Sequence, residues 1–175
     1  MIRFVNSRLI YGLGTLFTIL AMAYALYLEH VKGLDPCPLC IFQRLCVIAM
    51  GVTLLIAFIH NSKGIMERIY TGLCTLAAIG GIIVAGRHSW LQHLPADEVP
   101  ACGPGLEYLI DAFPLADMFR LVFTGSGECA SIDWEFLGLT LPESTLLFFV
   151  GYAIVFSALS LYPWSRIELR LHKSH

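Results

Sequence analysis

Four long segments of the chain contain no Asp, Glu, Lys or Arg, and this feature limits the possible folds more than any other. They run from Leu9 to Leu28, from Leu45 to Ser62, from Ile69 to Gly86 and from Ser144 to Ser165. At 1.5 Å per residue, a helix of about 20 residues crosses a hydrocarbon core of about 30 Å. Because unpaired backbone groups are costly in lipid, each segment should be helical. The sequence therefore predicts an all-α fold, a four-helix transmembrane bundle.

Composition supports a single integral membrane domain over residues 1–175, since 57% of the residues are hydrophobic and only 14% are charged. The net charge of −2 and the lack of a basic run exclude a nucleic-acid-binding protein. Arg3 and Arg8 before an apolar run with Ala21-Met22-Ala23 also resemble a cleaved signal peptide. The run continues to Leu28, longer than a usual signal core, so a retained first helix is favoured.

The distribution of positive charge predicts the orientation of the bundle. With four spans, the termini and the middle loop share one side, and this side holds seven of the eleven Lys and Arg residues. Short cytoplasmic loops carry the excess of positive charge, so both termini are expected in the cytoplasm. Loops 29–44 and 87–143 then face outward, into a bacterial periplasm or a similar oxidising compartment.

The long outer loop contains an apolar pattern with helical spacing. The apolar residues are Leu106, Leu109, Ile110 and Phe113, then, after Pro114, Leu115, Met118, Phe119, Val122 and Phe123. The pattern predicts a short amphipathic helix interrupted by the proline. It either lies on the membrane surface or packs on the outer ends of the bundle.

The orientation separates the six cysteines. Cys46 and Cys74 fall inside helices, where they are expected to be small packing residues. The outer loops hold the other four, Cys37 and Cys40 in the first and Cys102 and Cys129 in the second.

Three explanations compete for these four outer cysteines. A zinc site is disfavoured because such sites use two closely spaced pairs, and Cys102 and Cys129 are far apart, so no metal is predicted. Two structural disulfides are possible, and a bridge between Cys102 and Cys129 would stabilise the fold by roughly 3–4 kcal/mol. A C-x-x-C bridge stabilises little, and its spacing is common in exchanging dithiols, which favours redox chemistry.

The neighbours of Cys40 also favour redox chemistry. If the second helix begins near Pro38, Cys40 lies in its first turn, where N–H groups and the helix dipole favour an anion. Arg44 lies one turn further on the same face and can support a thiolate or hold a ligand oxygen, or it simply snorkels to the interface. His88, at the outer end of the third helix, either donates a hydrogen bond to a ligand or is an ordinary interfacial residue.

Together these features closely resemble the bacterial disulfide bond formation protein B family, DsbB, over nearly the whole chain. The resemblance is carried by "CPLCIFQR" at the second helix, "GRHSWLQHLP" at the third, Cys102 and Cys129 in the next loop, and "WEFLGLTLPE". It implies an inner-membrane oxidoreductase that reoxidises the periplasmic thiol oxidase DsbA and passes the electrons to a quinone, either ubiquinone or menaquinone.

The resemblance also implies residue roles. Disulfides are expected between Cys37 and Cys40 and between Cys102 and Cys129. Reduced partner would attack Cys102 and release Cys129, which would attack Cys37 and free the Cys40 thiolate to face the quinone. Arg44 and His88 are the expected quinone-binding residues.

Two other interpretations of the function remain. A non-enzymatic membrane protein with two structural disulfides would keep its thiols reduced when reductant is followed by quinone. An epoxide-reductase-like quinone enzyme also combines four helices with C-x-x-C, but the quoted motifs favour DsbB.

Overall fold

The computed structural model describes residues 7–61, 64–95, 97–99, 127–132, 134–136 and 138–161. Within these ranges the chain forms four long helices: α1 Ser7–His30, α2 Pro38–His60, α3 Ile65–Gln92 and α4 Leu141–Leu161. Each is long and apolar enough to cross a membrane. The predicted four-helix fold is confirmed. Cys102 and the predicted amphipathic segment lie outside the described residues.

The ends of α2 follow from local sequence. Pro38 is the first helical residue and Cys37 is the N-cap, consistent with the tolerance of proline in a first helical turn. Asn61 closes the helix in the left-handed conformation (φ 46°), and its N–H donates to the Ala57 carbonyl at 3.0 Å. Cys40 and Arg44 therefore lie within the helix rather than in the loop before it.

Helix α3 extends beyond its charge-free segment, through Arg87 and His88 to Gln92. A charge ends a membrane-spanning run but does not end a helix, and Leu91 is fully buried in the extended part. The extra turns carry His88 to the level of the first turn of α2, where the two helices pack together.

The bundle is apolar on both its inside and its outside. Helix α3 packs against α2 and α4, while α1 packs mainly against α2. The interior contains Tyr11, Met50, Leu54, Ala78 and Phe149, each at most 1% exposed. Large apolar side chains such as Phe17, Ile59, Leu76 and Ile154 point outward, as expected for a surface whose solvent is lipid.

One close approach inside the bundle depends on glycine. A Cβ atom on Gly81 would lie 2.4 Å from the ring of Phe149, which is fully buried. We expect Gly81→Ala to lower the free energy of unfolding by roughly 1–3 kcal/mol, because the packed ring must shift. Thermal unfolding in detergent, followed by tryptophan fluorescence, measures the effect. Gly72→Ala is the matched control on the same helix, since its Cβ would meet nothing within 4 Å; equal midpoints for the two variants would contradict the prediction.

The described part of the segment between α3 and α4 leads from a 3-10 turn, Gly127–Cys129, to a short hairpin. Strand β1 Glu135–Phe136 pairs antiparallel with β2 Leu139–Thr140 around Gly138 (φ 79°). The N–H of Thr140 donates to the Glu143 carboxylate at 2.8 Å, which caps the start of α4.

Three side-chain contacts fasten this segment to the bundle. Trp134 donates its indole N–H to the Tyr24 hydroxyl at 3.0 Å, and the Lys32 ammonium lies 5.8 Å from the centre of the Trp134 ring. Gln92, the last residue of α3, donates to the Ser131 carbonyl at 3.0 Å. Contacts with α1 and α3 thus hold Trp134 and Ser131, which lie between Cys129 and the hairpin.

Candidate functional site

The start of α2 presents the C-x-x-C pair to the interior of the protein. Cys37 is 8% exposed, whereas Cys40 is only partly buried. The Cys37 sulfur accepts the backbone N–H of Cys40 at 3.4 Å. The sequence predicted that N–H groups in the first turn would favour a thiolate at Cys40. The backbone N–H of Cys40 instead points at the Cys37 sulfur. Both residues carry free thiols in this structure, and the Cys37–Cys40 bridge stays a prediction.

Cys129 lies against this pair although it comes from a distant part of the chain. It is 1% exposed and packs in a small apolar cluster with Cys37, Leu39, Val84 and Leu91. The sulfurs of Cys37 and Cys129 and a ring nitrogen of His88 all lie within 4.8 Å of one another. The structure thus brings Cys129, from the segment before α4, beside Cys37 at the start of α2. The predicted Cys102–Cys129 bridge stays a prediction, because Cys102 is outside the described residues.

His88 is the residue that touches both members of the C-x-x-C pair. Its Nε2 lies 3.8 Å from the Cys37 sulfur, and its Nδ1 lies 3.9 Å from the Cys40 sulfur. The ring is 3% exposed, so water hardly competes for these contacts. His88 is therefore placed to give a proton to, or take one from, a sulfur in this cluster.

Gln43 is a further polar residue of the site, and its role was not predicted from the sequence. Its Nε2 lies 3.1 Å from His88 Nδ1, and its Oε1 lies 2.7 Å from the Thr145 hydroxyl of α4. It is 5% exposed. The available signal was an amide side chain one turn after Cys40 in an otherwise apolar helix, where a buried polar group needs a partner.

Arg44 points toward α1. Its Nη1 donates to the Glu29 carboxylate in an ion pair, and its Nη2 lies 3.4 Å from the Ala25 carbonyl oxygen. The two side chains are 22% and 27% exposed, so the pair is only partly screened by solvent. The sequence did not predict Glu29 as a partner, because the pairing depends on how α1 is rotated against α2.

The cluster of Cys37, His88 and Cys129 has the donor types that bind zinc. A structural zinc site needs four ligands, and among the described residues only these three donor atoms lie within 4.8 Å of one another. The same closeness also suits transfer of a disulfide between Cys37 and Cys129, because exchange requires one sulfur to reach another.

The other two described cysteines serve the core. Cys74 is fully buried in the middle of the bundle, and Cys46 is partly buried against the same core. Neither approaches the cluster at the outer end.

Comparison with known proteins gives a consistent result. The family model described as "Disulfide bond formation protein DsbB" matches residues 7–159. A protein of Acinetobacter baumannii named disulfide bond formation protein B is 56% identical over 151 residues, which cover 86% of this chain and 88% of that protein. Proteins with the same name from Acinetobacter baylyi and Hahella chejuensis are 51% and 44% identical. Their matches cover 90% and 92% of this chain and 94% and 95% of those proteins.

Proposed function

The chain belongs to the disulfide bond formation protein B family, and from this premise we propose that it reoxidises a periplasmic DsbA-type dithiol oxidase and passes the electrons to a membrane quinone. The family and the four candidate spans indicate a multi-pass membrane protein that acts as a thiol-disulfide oxidoreductase. The proposal places it in the bacterial inner membrane with both termini in the cytoplasm. The observation that carries it is the meeting of Cys37 and Cys129 beside His88.

The proposed relay uses two disulfides, Cys102–Cys129 and Cys37–Cys40. A thiolate of the reduced partner attacks Cys102, forms a mixed disulfide with it and expels Cys129 as a thiolate. Cys129 then attacks Cys37, so that a Cys37–Cys129 bond forms and Cys40 leaves as a thiolate. The closeness of the Cys37 and Cys129 sulfurs supports this second step, because thiolate attack requires access to the sulfur under attack.

After these two steps Cys40 is the free thiolate, and both exposed apolar side chains and polar groups lie near it. Nearby on the same helices, Leu45 is 54% exposed and Trp90 is 65% exposed, while Arg44 provides N–H groups. This combination fits an amphiphilic ring with carbonyl oxygens, and Arg44 would hold it. His88, also an expected quinone-binding residue, has its ring nitrogens facing Gln43 and the Cys37 and Cys40 sulfurs. A bound quinone supplies an acceptor for two electrons and two protons. The protein's part is to keep the Cys40 sulfur on the partly exposed side of the pair.

A direct assay tests the proposed function. The purified full-length protein is mixed with ubiquinone or menaquinone and a reduced DsbA-type partner, and quinone absorbance and partner thiols are followed together. We expect one quinone to be reduced for each dithiol oxidised, and the preferred quinone to be identified by rate. If both quinones and the partner stay unchanged, the proposal is contradicted. That result would favour a non-enzymatic membrane protein with two structural disulfides.

Arg44 gives a second prediction. We expect Arg44→Ala to raise the KM for quinone roughly tenfold or more, because a hydrogen bond from a charged group is lost. Initial rates at varied quinone concentration measure it. Glu29→Gln is the matched control, since it removes the ion-pair partner but keeps the guanidinium. If KM is unaltered in Arg44→Ala, the arginine serves only the contact with α1.

A further inference from the structure

A continuous chain of polar contacts crosses the outer end of the bundle and ends at Cys37. It starts at the Thr145 hydroxyl of α4, passes through the Gln43 amide of α2 and the His88 ring of α3, and reaches the Cys37 sulfur. The successive separations are 2.7, 3.1 and 3.8 Å. Gln43 and His88 are both at least nine-tenths buried, so bulk water has little access to compete for these hydrogen bonds.

The order of this chain is set by the amide of Gln43. Its Oε1 can only accept a hydrogen bond and its Nε2 can only donate one. The Thr145 hydroxyl donates to Oε1, which leaves Nε2 facing His88 Nδ1. A donor opposite Nδ1 requires Nδ1 to be unprotonated, so a neutral ring carries its hydrogen on Nε2. That hydrogen points toward the Cys37 sulfur.

The Thr145 hydroxyl can either maintain this arrangement of donors and acceptors or allow it to reverse. Its hydroxyl lies 2.7 Å from Gln43 Oε1 and 3.0 Å from the Pro142 carbonyl, and its single hydrogen can be directed at only one of them. Directed at Pro142, the hydroxyl would offer Gln43 a lone pair, and the amide could turn over. Every donor in the chain would then be reversed, and His88 Nε2 would face Cys37 as an acceptor.

We propose that Gln43, held by Thr145, is a positioning residue that keeps the hydrogen of neutral His88 on Nε2, so that the imidazole donates to the Cys37 sulfur. Resting on the proposed function, this assigns the ring a role in the last exchange of the relay. The second thiol of the partner displaces Cys102 from the mixed disulfide, and the freed Cys102 thiolate attacks Cys129 in the Cys37–Cys129 bond. The electron pair of the Cys37–Cys129 bond then moves onto the Cys37 sulfur, which leaves as a thiolate. This thiolate faces two N–H groups, His88 Nε2 and the backbone of Cys40. Hydrogen bonds to a charged group are the stronger ones, so both donors favour this departure.

Nitrogen NMR of the full-length protein, labelled with ¹⁵N-histidine in detergent micelles, tests the proposal. The His88 signals are identified by their loss in His88→Gln, and spectra are taken at a pH where the ring is neutral. We expect a protonated Nε2 and an unprotonated Nδ1. In Gln43→Glu the carboxylate can only accept, so the two signals should exchange character.

Thr145 variants separate orientation from mere packing. Thr145→Val removes the hydroxyl at nearly constant volume and should give a mixture of both ring forms, whereas Thr145→Ser should restore the wild-type signals. Thr53→Val is the control on α2, because the Thr53 hydroxyl bonds only the Ala49 carbonyl among the contacts of the described chain, at 2.7 Å, and should leave the signals unchanged.

A kinetic measurement adds the chemical consequence. In Gln43→Glu, release of Cys37 from the Cys37–Cys129 bond should slow roughly tenfold, since one hydrogen bond to the charged sulfur is lost. A wild-type ring protonated on Nδ1, or signals that do not change in Gln43→Glu, would overturn the inference. The ring signals do not depend on quinone turnover, so failure of the proposed relay would appear in the quinone assay and failure of this inference in the spectra.

Discussion

Replacing Cys40 by serine is expected to reduce quinone reduction to the uncatalysed background while leaving the protein folded. In the proposed relay Cys40 is the sulfur that leaves Cys37 and carries the electron pair toward the quinone, and a serine hydroxyl cannot take part in disulfide exchange. The partly buried position of Cys40 at the first turn of α2 tolerates a side chain of similar size. Loss of activity would therefore report chemistry rather than packing.

The measurement is quinone absorbance during mixing with a reduced DsbA-type partner at fixed enzyme concentration. Cys46→Ser is the matched control, because it makes the same substitution in the same helix, at a site that packs against the core and away from the cluster. We expect Cys46→Ser to keep activity near that of wild type. Turnover that persists in Cys40→Ser would exclude Cys40 as the exit sulfur.

The second large effect is expected for the pair of sulfurs that the fold brings together. In a variant with Cys40→Ser and Cys102→Ser, Cys37 and Cys129 are the two outer thiols that remain. Their sulfurs lie within 4.8 Å, close enough for a rotamer change and a small backbone shift to reach disulfide geometry. We expect mild oxidation with diamide to join them almost completely.

Mass spectrometry of the digested protein identifies the cross-linked peptides, and alkylation counts the thiols that remain. Only Cys46 and Cys74 should then react after unfolding. Adding Cys129→Ser to the double variant is the control, and it should give no intramolecular bond. If the double variant instead keeps four free thiols, or forms only bonds between molecules, the meeting of the two loops is not the resting arrangement in the membrane.

The helices could be predicted from composition because the membrane requirement is local. A run without charge that is long enough to cross a bilayer must be helical whatever its neighbours are. The start of α2 was predictable for the same reason, since Pro38 needs only its own ring to favour a first turn. The continuation of α3 to Gln92 was not, because hydropathy marks the bilayer boundary rather than the end of hydrogen bonding.

The site depended on contacts between helices, which sequence spacing does not give. Thr145 and Gln43 are 102 residues apart, and Arg44 and Glu29 belong to separate helices. Their pairing requires the rotation of each helix about its axis, and the packing of the whole bundle sets that rotation. Family resemblance named the cysteines and suggested Arg44 and His88, but it did not supply the amide that joins His88 to α4.

The burial of Cys129 has a consequence for the selectivity of the proposed relay. This sulfur is 1% exposed and Cys37 is 8% exposed, and Trp134 fastens the following segment to α1. Small thiols in the surrounding fluid would therefore have little access to the junction between the two loops. In the proposed relay, this burial would favour disulfide exchange with a protein that docks over exchange with small thiols.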